Sequence, residues 1–170
     1  MKASDFIGRT VIDSKGHEVG KVDNIFLKPT ESLLSRIVVS TGPVLNRKQF
    51  AITNEDIVAL GDYIILNIDS AEIDKRISES KSTLELLKRE NVGYKDLLKK
   101  IVISCNGVAV GTVDDLIIEP QKCLLETIVV KPKFDLSKHN VVIKYDDILD
   151  IKDYLVLKYN FEKVLSLFED

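Results

Sequence analysis

The sequence predicts a mainly β protein with some α-helix, built from two tandem small β-barrels. Three observations lead to this fold class: an internal repeat without gaps, short β-type runs separated by glycines, and a change to helical periodicity after each repeat. The predicted domains are a first barrel, a helical linker, a second barrel and a C-terminal helix, over residues 1–68, 69–98, 99–159 and 160–170.

The repeat has a period of 91 residues. Residues 11–66 align with residues 102–157 without a gap, and 20 of the 56 aligned pairs are identical. A fixed internal period indicates two copies of one structural unit. Because so small a unit has a thin core, we expect the two barrels to bury like faces around an approximate two-fold axis, as in a fused homodimer.

Glycines separate the predicted strands in both copies. The Asn106-Gly107 pair predicts a hairpin turn, because both residues tolerate positive φ. Gly20 and Gly111 lie inside the next strand of their copies, where a glycine marks a bulge or a sharp bend. Short strands with this punctuation favour a small closed barrel over an open sheet.

A helix is predicted after the first barrel. Asp69 or Ser70 can cap it, and it runs to about Arg89 with a narrow apolar stripe made of Ile73, Ile77, Leu84 and Leu87. The helix packs either on a barrel or against a symmetry mate, and packing within the chain is favoured. A short second helical segment over residues 94–100 leads into the second copy.

A second helix is predicted over residues 161–169, with Asn160 as its cap. Its apolar face consists of Phe161, Val164, Leu165 and Phe168. So short a helix is marginal alone and must bury that face. Docking onto its own barrel or the linker helix is favoured, and the alternative is a helix that inserts into a groove of another protein.

Composition and charge indicate a soluble globular protein of the cytoplasm. The net charge of −3 provides no overall attraction to nucleic acid or anionic lipid. No signal peptide and no run of about 20 apolar residues is evident, so direct membrane insertion is not expected. Cys105 and Cys123 align with Ser14 and Ser32 in the repeat, which disfavours a structural disulfide or metal site.

The sequence predicts no catalytic residues, no cofactor and no metal site. Asp23 and Asp114 are interpreted as outward-facing strand carboxylates that discourage edge pairing. His17 and His139 occupy non-equivalent loops and lack zinc-ligand spacing. No phosphate-binding glycine loop or nucleophile motif is present, so an enzyme is not expected.

The loop before the fourth strand is basic in both copies. The candidate partner-binding residues here are Arg47, Lys48, Lys131, Lys133 and Lys138. Scattered solvated side chains are the favoured interpretation, and the alternative is a paired positive rim that meets an acidic peptide or a phosphate backbone. Because no aromatic residues alternate with these cations, RNA recognition is disfavoured.

Several short motifs occur in order along the first copy: Gly8-Arg9-Thr10-Val11, Asp13-Ser14-Lys15-Gly16, Gly20-Lys21-Val22-Asp23, Ile52-Thr53-Asn54-Glu55-Asp56-Ile57 and Gly61-Asp62-Tyr63-Ile64-Ile65-Leu66. The second copy keeps Gly111-Thr112-Val113-Asp114 and Asp147-Ile148, but Lys99 and Lys152 replace the opening and last glycines. On these motifs, each copy resembles a PRC-barrel domain.

The resemblance implies a small β-barrel with no recognised catalytic centre, used for contacts between proteins or between protein and RNA. The family includes the photosynthetic reaction-centre H subunit and the C-terminal domain of the ribosome-maturation factor RimM. Many archaea carry small stand-alone versions. Some of these are division-site adaptors, linked to the FtsZ ring through its membrane anchor SepF.

Two functional hypotheses follow from this resemblance. The leading one is a non-enzymatic adaptor for other proteins in the archaeal cytosol, recruited to the division site by a membrane-anchored division protein. Self-association is a further expectation for such a module. The alternative is an RNA- or ribosome-associated maturation factor of the RimM type.

Overall fold

The computed structural model describes residues 1–133 and 139–167. Its strands are β1 (Thr10–Ile12), β2 (Glu18–Leu27), β3 (Leu34–Thr41), β4 (Lys48–Ile52), β5 (Ile57–Leu60), β6 (Ile64–Leu66), β7 (Val92–Gly93), β8 (Ile101–Ile103), β9 (Ala109–Glu119), β10 (Leu124–Pro132), β11 (Val141–Lys144), β12 (Ile148–Ile151) and β13 (Leu155–Leu157). Its α-helices are α1 (Ala3–Phe6), α2 (Ser70–Glu90), α3 (Tyr94–Leu97) and α4 (Phe161–Ser166). The predicted class, mainly β with α-helix, is confirmed.

The strands form two curled half-barrel sheets of the same topology. One sheet has the order β4-β3-β2-β1-β6-β5, with β7 added beside β2, and the other has the order β11-β10-β9-β8-β13-β12. Within each sheet, the first strand pairs in parallel with the last strand of its copy, as β1 with β6 and β8 with β13. Both sheets therefore contain the repeat as two equivalent units.

The prediction of closed barrels needs correction. Within the described residues, β4 and β5 are the two ends of the first sheet and do not pair, and β11 and β12 end the second sheet in the same way. A single turn of 3-10 helix, Asn54–Asp56 or Tyr145–Asp147, joins each of these pairs of strands. Each sheet is therefore a half-barrel with one open side, and the turn joins the two strands that border it.

Gly20 and Gly111 lie at the predicted bulges, and the strand on the other side approaches each of them closely. The pairing of β1 with β2 shifts register next to Gly20, and that of β8 with β9 shifts next to Gly111. A Cβ atom on Gly20 would lie 2.2 Å from the carbonyl oxygen of Ser40, and one on Gly111 would lie 2.1 Å from that of Lys131. Any side chain at these positions would collide with backbone.

Reciprocal contacts join the two halves. Helix α1 packs on β9 of the second sheet, while α3 packs on β2 of the first. The N–H of Ser4 donates to Oδ1 of Asp115 at 3.2 Å, and the N–H of Lys95 donates to Oδ1 of Asn24 at 3.3 Å. The two donors, Ser4 and Lys95, are 91 residues apart, and so are the two acceptors, Asn24 and Asp115. The two bonds are therefore equivalent in the repeat. Helix α3, predicted as part of the linker, is thus the repeat equivalent of α1.

The expected two-fold axis passes between Leu33 and Leu124. These residues are equivalent in the repeat, and they form an antiparallel bridge with each other. On either side, the N–H groups of Leu34 and Leu125 donate across the junction at 2.9 and 2.8 Å. Residues that pair with their own equivalents lie on a two-fold axis, so the halves are arranged as in a fused homodimer.

A single hydrophobic core extends through both halves. It contains fully buried side chains from the first half, such as Phe6 and Phe50, and from the second, such as Leu97 and Ile128. Asp115 is 6% exposed at the junction, where it accepts hydrogen bonds from the hydroxyls of Ser4 and Tyr94. Burial, followed by the Asp115 charge, raises the pKa of Tyr94 to about 12, so this phenol stays a donor.

Helix α2 packs on the outer face of the first sheet, as the favoured interpretation of its stripe expected. Its residues Leu84 and Leu87 contact Phe26, Val38 and Ala51. The helix begins with the predicted cap, since the side chain of Asp69 accepts the N–H of Glu72. Packing within the chain therefore satisfies the narrow apolar stripe.

An ion pair attaches the first third of α2 to the 3-10 turn between β4 and β5. The guanidinium of Arg76 donates to both carboxylate oxygens of Asp56, at 2.7 and 3.1 Å. Burial acts to raise the pKa of Asp56, but the hydrogen bonds from Arg76 and from the N–H of Thr53 outweigh it and lower that pKa. A two-point contact of this geometry fixes the rotation of the helix on the sheet.

Candidate functional site

The basic residues predicted to form a paired rim have different surroundings in the two halves. In the first half, the Asp23 carboxylate lies 3.9 Å from the Arg47 guanidinium and 2.8 Å from the Lys95 ammonium. Lys48 is exposed at the start of β4. Asp23 lies on β2, which is interior to its sheet, so the interpretation of this carboxylate as an edge guard was wrong. It neutralises part of the predicted positive rim.

In the second half, two of the predicted cations border a cavity of about 420 Å³. Lys131 and Lys133 are exposed there, beside the apolar side chains of Ile101 and Pro132. Gly111 also borders this cavity, at the close approach of β9 to β10. Lys138, the remaining predicted cation, lies outside the described residues.

The repeat places an equivalent cavity of about 410 Å³ in the first half. Its border includes Glu18, Lys21 and Arg47, so both signs of charge are present. The two rims are therefore not matching positive surfaces. Partner binding by these cations stays a prediction.

The C-terminal helix is docked on the shared core. Asn160 caps α4 as predicted, since its side chain accepts the N–H of Lys163 at 2.8 Å. Val164 is completely buried and Phe161 is half-buried against the core, whereas Leu165 is 39% exposed. Phe168 lies outside the described residues. Docking within the chain, the favoured alternative, agrees with the burial of Val164.

Sequence reasoning missed an exposed apolar surface that occurs in both halves. On the first sheet it crosses three adjacent strands, where Ile12 of β1 pairs with Ile65 of β6, and Val58 lies in the bulge of β5. Val58 is 66% exposed and Ile65 is 40% exposed. Their repeat equivalents are Ile103, Val156 and Leu149, of which Leu149 is 63% exposed. Ile12, Ile103 and Val156 are half-buried. We call these two sets of three residues the outer stripes.

An exposed tyrosine adjoins each outer stripe. Tyr63 precedes β6 and is 56% exposed, and its equivalent Tyr154 precedes β13 and is 50% exposed. A sequence signal for this surface did exist. The continuous apolar runs Ile64–Leu66 and Leu155–Leu157 leave an apolar side chain on the outer face, whereas an ordinary half-buried strand alternates apolar and polar residues.

The repeated architecture agrees with a known domain family. A family model of the PRC-barrel domain matches residues 1–73 and 89–164, which together make up most of the chain. The chain belongs to the PRC-barrel family. Each matched segment of this tandem PRC-barrel protein runs from a short N-terminal helix, α1 or α3, through the last strand of its sheet. No curated protein matches the sequence. PRC-barrel domains are associated with protein interaction or with roles of the RimM type.

Among the residues that the structure describes, no helix is long and apolar enough to cross a bilayer. Across residues 1–133 and 139–167, no three His, Cys, Asp or Glu side chains are grouped as metal ligands.

Proposed function

We propose that this tandem PRC-barrel protein is a non-enzymatic adaptor that binds other proteins through its two outer stripes. The observation that carries the proposal is the exposure of large apolar residues at equivalent positions of both halves, above all Val58 and Leu149. Single exposed apolar residues are ordinary, but a contiguous stripe that recurs in both copies is typical of an interaction surface. Tyr63 and Tyr154 add the residue type most enriched at binding hot spots.

The arrangement of the halves suggests how such an adaptor engages its partner. The two stripes belong to sheets joined through one core and one two-fold axis, so their relative position is constant. A partner with two identical chains can therefore contact both stripes at once, and the second contact benefits from a high effective concentration. We place the protein in the archaeal cytosol, at the division site, with the membrane anchor SepF of the FtsZ ring as the partner.

Charge substitutions in the stripes test this function. The double variant Val58→Glu with Leu149→Glu is expected to weaken binding to purified SepF at least tenfold, because it puts two carboxylates into the apolar contact. Both residues are already more than half exposed, so folding should be preserved. The matched control is Leu45→Glu, since Leu45 is fully exposed outside both stripes. Equal binding by the wild type, the double variant and the Leu45→Glu control in isothermal titration calorimetry would refute the proposal.

One observation favours a second candidate, an RNA- or ribosome-associated role. Lys131 and Lys133 border a cavity in the second half and are both exposed. Binding that neutralises several phosphates weakens steeply between 50 and 200 mM salt, by about a thousandfold for six contacts, whereas an apolar contact changes little. Affinity capture from the native host at both salt concentrations separates the candidates. Ribosomal proteins or RNA recovered only at low salt would support the second candidate, and division proteins recovered at both would support the adaptor.

A further inference from the structure

The two halves differ at one point of their junction. In the second half, Tyr145 of the 3-10 turn lies against the first half, half-buried on the shared core. Its hydroxyl donates to the carbonyl oxygens of Pro29 and Lys28. Burial, followed by the charge of Glu31, raises the pKa of this phenol, which keeps it protonated as a donor. The aromatic ring therefore closes the space between β12 and residues 28–29.

The equivalent space in the first half is open. The residue at the position of Tyr145 is Asn54, which is exposed. A cavity of about 360 Å³ lies between Asn54, strand β5 and the pair Pro120 and Gln121, which are the repeat equivalents of Pro29 and Thr30. We call this cavity the Asn54 groove. The same backbone that holds an aromatic ring in one half thus leaves a vacant groove in the other.

The Asn54 groove has the features of a site for an extended peptide. Strand β5 is the end of its sheet, and among the described residues it pairs with β6 on one side. An edge strand offers backbone donors and acceptors to an added strand. Val58, the most exposed residue of its outer stripe, also borders the groove. A partner on the outer stripe can therefore continue into the groove without a break.

We propose that the Asn54 groove binds a tyrosine side chain from an extended segment of the partner protein. The chemistry is that of Tyr145 in the other half: an aromatic ring on the apolar wall, and a hydroxyl that donates to the carbonyls of residues 119–120. The backbone of the segment runs beside β5. This inference rests on the proposed adaptor function, and it identifies which part of the partner enters the protein. Because Tyr145 occupies the equivalent place in the second half, only the first half takes such a segment.

The first experiment tests the groove without any protein partner. The probe is N-acetyl-tyrosinamide, titrated into the isotope-labelled full chain and followed by NMR chemical shifts of backbone amides. We expect saturable shifts at residues 57–60 and at Gln121, with a dissociation constant of about 1–10 mM, as suits a ligand of this size. N-acetyl-leucinamide serves as the control. Equal shifts with the leucine amide, or no shifts at these residues, would overturn the proposal.

Two variants, each carrying the residue that the other half has at the equivalent position, make the test specific. Asn54→Tyr supplies the ring that the fold already accepts at Tyr145, so we expect a folded protein in which the amide shifts are lost. Tyr145→Asn opens the second junction, so we expect a second set of shifts at residues 148–151. If Asn54→Tyr proves unstable, the gain of a site in Tyr145→Asn still decides the matter. Shifts that persist unchanged in Asn54→Tyr would contradict the assignment.

The last experiment measures binding to purified SepF, the partner of the proposed function. Asn54→Tyr should lower the affinity for the partner at least tenfold, while the matched control Asn54→Ser, which keeps the groove open, should stay within twofold. Unchanged affinity in Asn54→Tyr would overturn the role of the groove, and the adaptor function would then depend on the outer-stripe variants alone. Dimerisation of the wild-type chain that Asn54→Tyr abolishes would also overturn it, because a second copy would then supply the ring.

Discussion

Replacement of Lys99 by glycine should make the protein more stable. Lys99 has φ 65°, in the left-handed region, and its repeat equivalent Gly8 has φ 83°. The N–H groups of both residues donate at 2.8 Å to the equivalent carbonyls of Val22 and Val113. The turn therefore has the same geometry in both halves, and only the second half places a side chain on it.

The size of the effect follows from two opposing contributions. A residue with a side chain costs about 1–2 kcal/mol in the left-handed region. Glycine avoids that cost but gains about 0.5–1 kcal/mol of extra freedom in the unfolded chain. Lys99→Gly should thus raise the free energy of unfolding by about 0.5–1 kcal/mol, and Tm by roughly 1–4 °C in a chain of this length.

Urea and thermal unfolding, followed by circular dichroism, measure this change. The reciprocal variant Gly8→Ala is the matched control, because an added Cβ on Gly8 would meet no atom within 4 Å. Its expected destabilisation of about 1 kcal/mol comes from the backbone conformation alone. A less stable Lys99→Gly protein, or a neutral Gly8→Ala protein, would show that the reasoning from φ is wrong.

Three other substitutions or deletions test the fold. Gly111→Ala should destabilise the protein by about 3 kcal/mol in urea unfolding, because its Cβ would lie 2.1 Å from a backbone oxygen that cannot move away. Asp56→Asn should cost about 1 kcal/mol at pH 7, since it removes the charge facing Arg76. The pKa of Asp56 is lowered on folding, so its contribution is present above the unfolded value of about 3.9 and disappears as the pH falls through the folded value. The variant should therefore lose less stability than the wild type between pH 6 and pH 3, and an equal loss would contradict this. Truncation after Asn160 removes the buried Val164 and should lower the Tm measured by calorimetry by roughly 5–10 °C. Unchanged stability together with lost partner capture would mean that the helix is a binding element.

The features that could be predicted from the sequence are those that depend on local chain geometry. The repeat register, the bulge at Gly20 and Gly111, and the helix caps Asp69 and Asn160 all follow from residue types at fixed spacing, and each is present in the structure. A glycine that must accept close backbone contact, or a side chain that caps a helix, acts within a few residues of itself. Such signals need no knowledge of distant contacts.

The candidate surfaces could be predicted only in part. The basic residues were visible in the sequence, but the ion pair between Arg47 and Asp23 depends on which strands are neighbours. The outer stripes were overlooked because an apolar run such as Ile64–Leu66 is compatible with burial on both faces. Only the packing of α2 and the junction between the halves decides which sheet faces stay exposed.

The sequence by itself determined two copies of one small β unit, each followed by a helix, since the 91-residue period and the glycine pattern allow little else. The tertiary structure decided how the copies combine. Neither half has enough apolar surface for a thick core, so burial favours one shared core, reciprocal helices α1 and α3, and an axis at Leu33 and Leu124. That arrangement brings Asn54 and Tyr145 to equivalent places on the junction, where one residue leaves a groove and the other closes it. No local pattern encodes this difference, because it arises between segments about 66 residues apart or more in the chain.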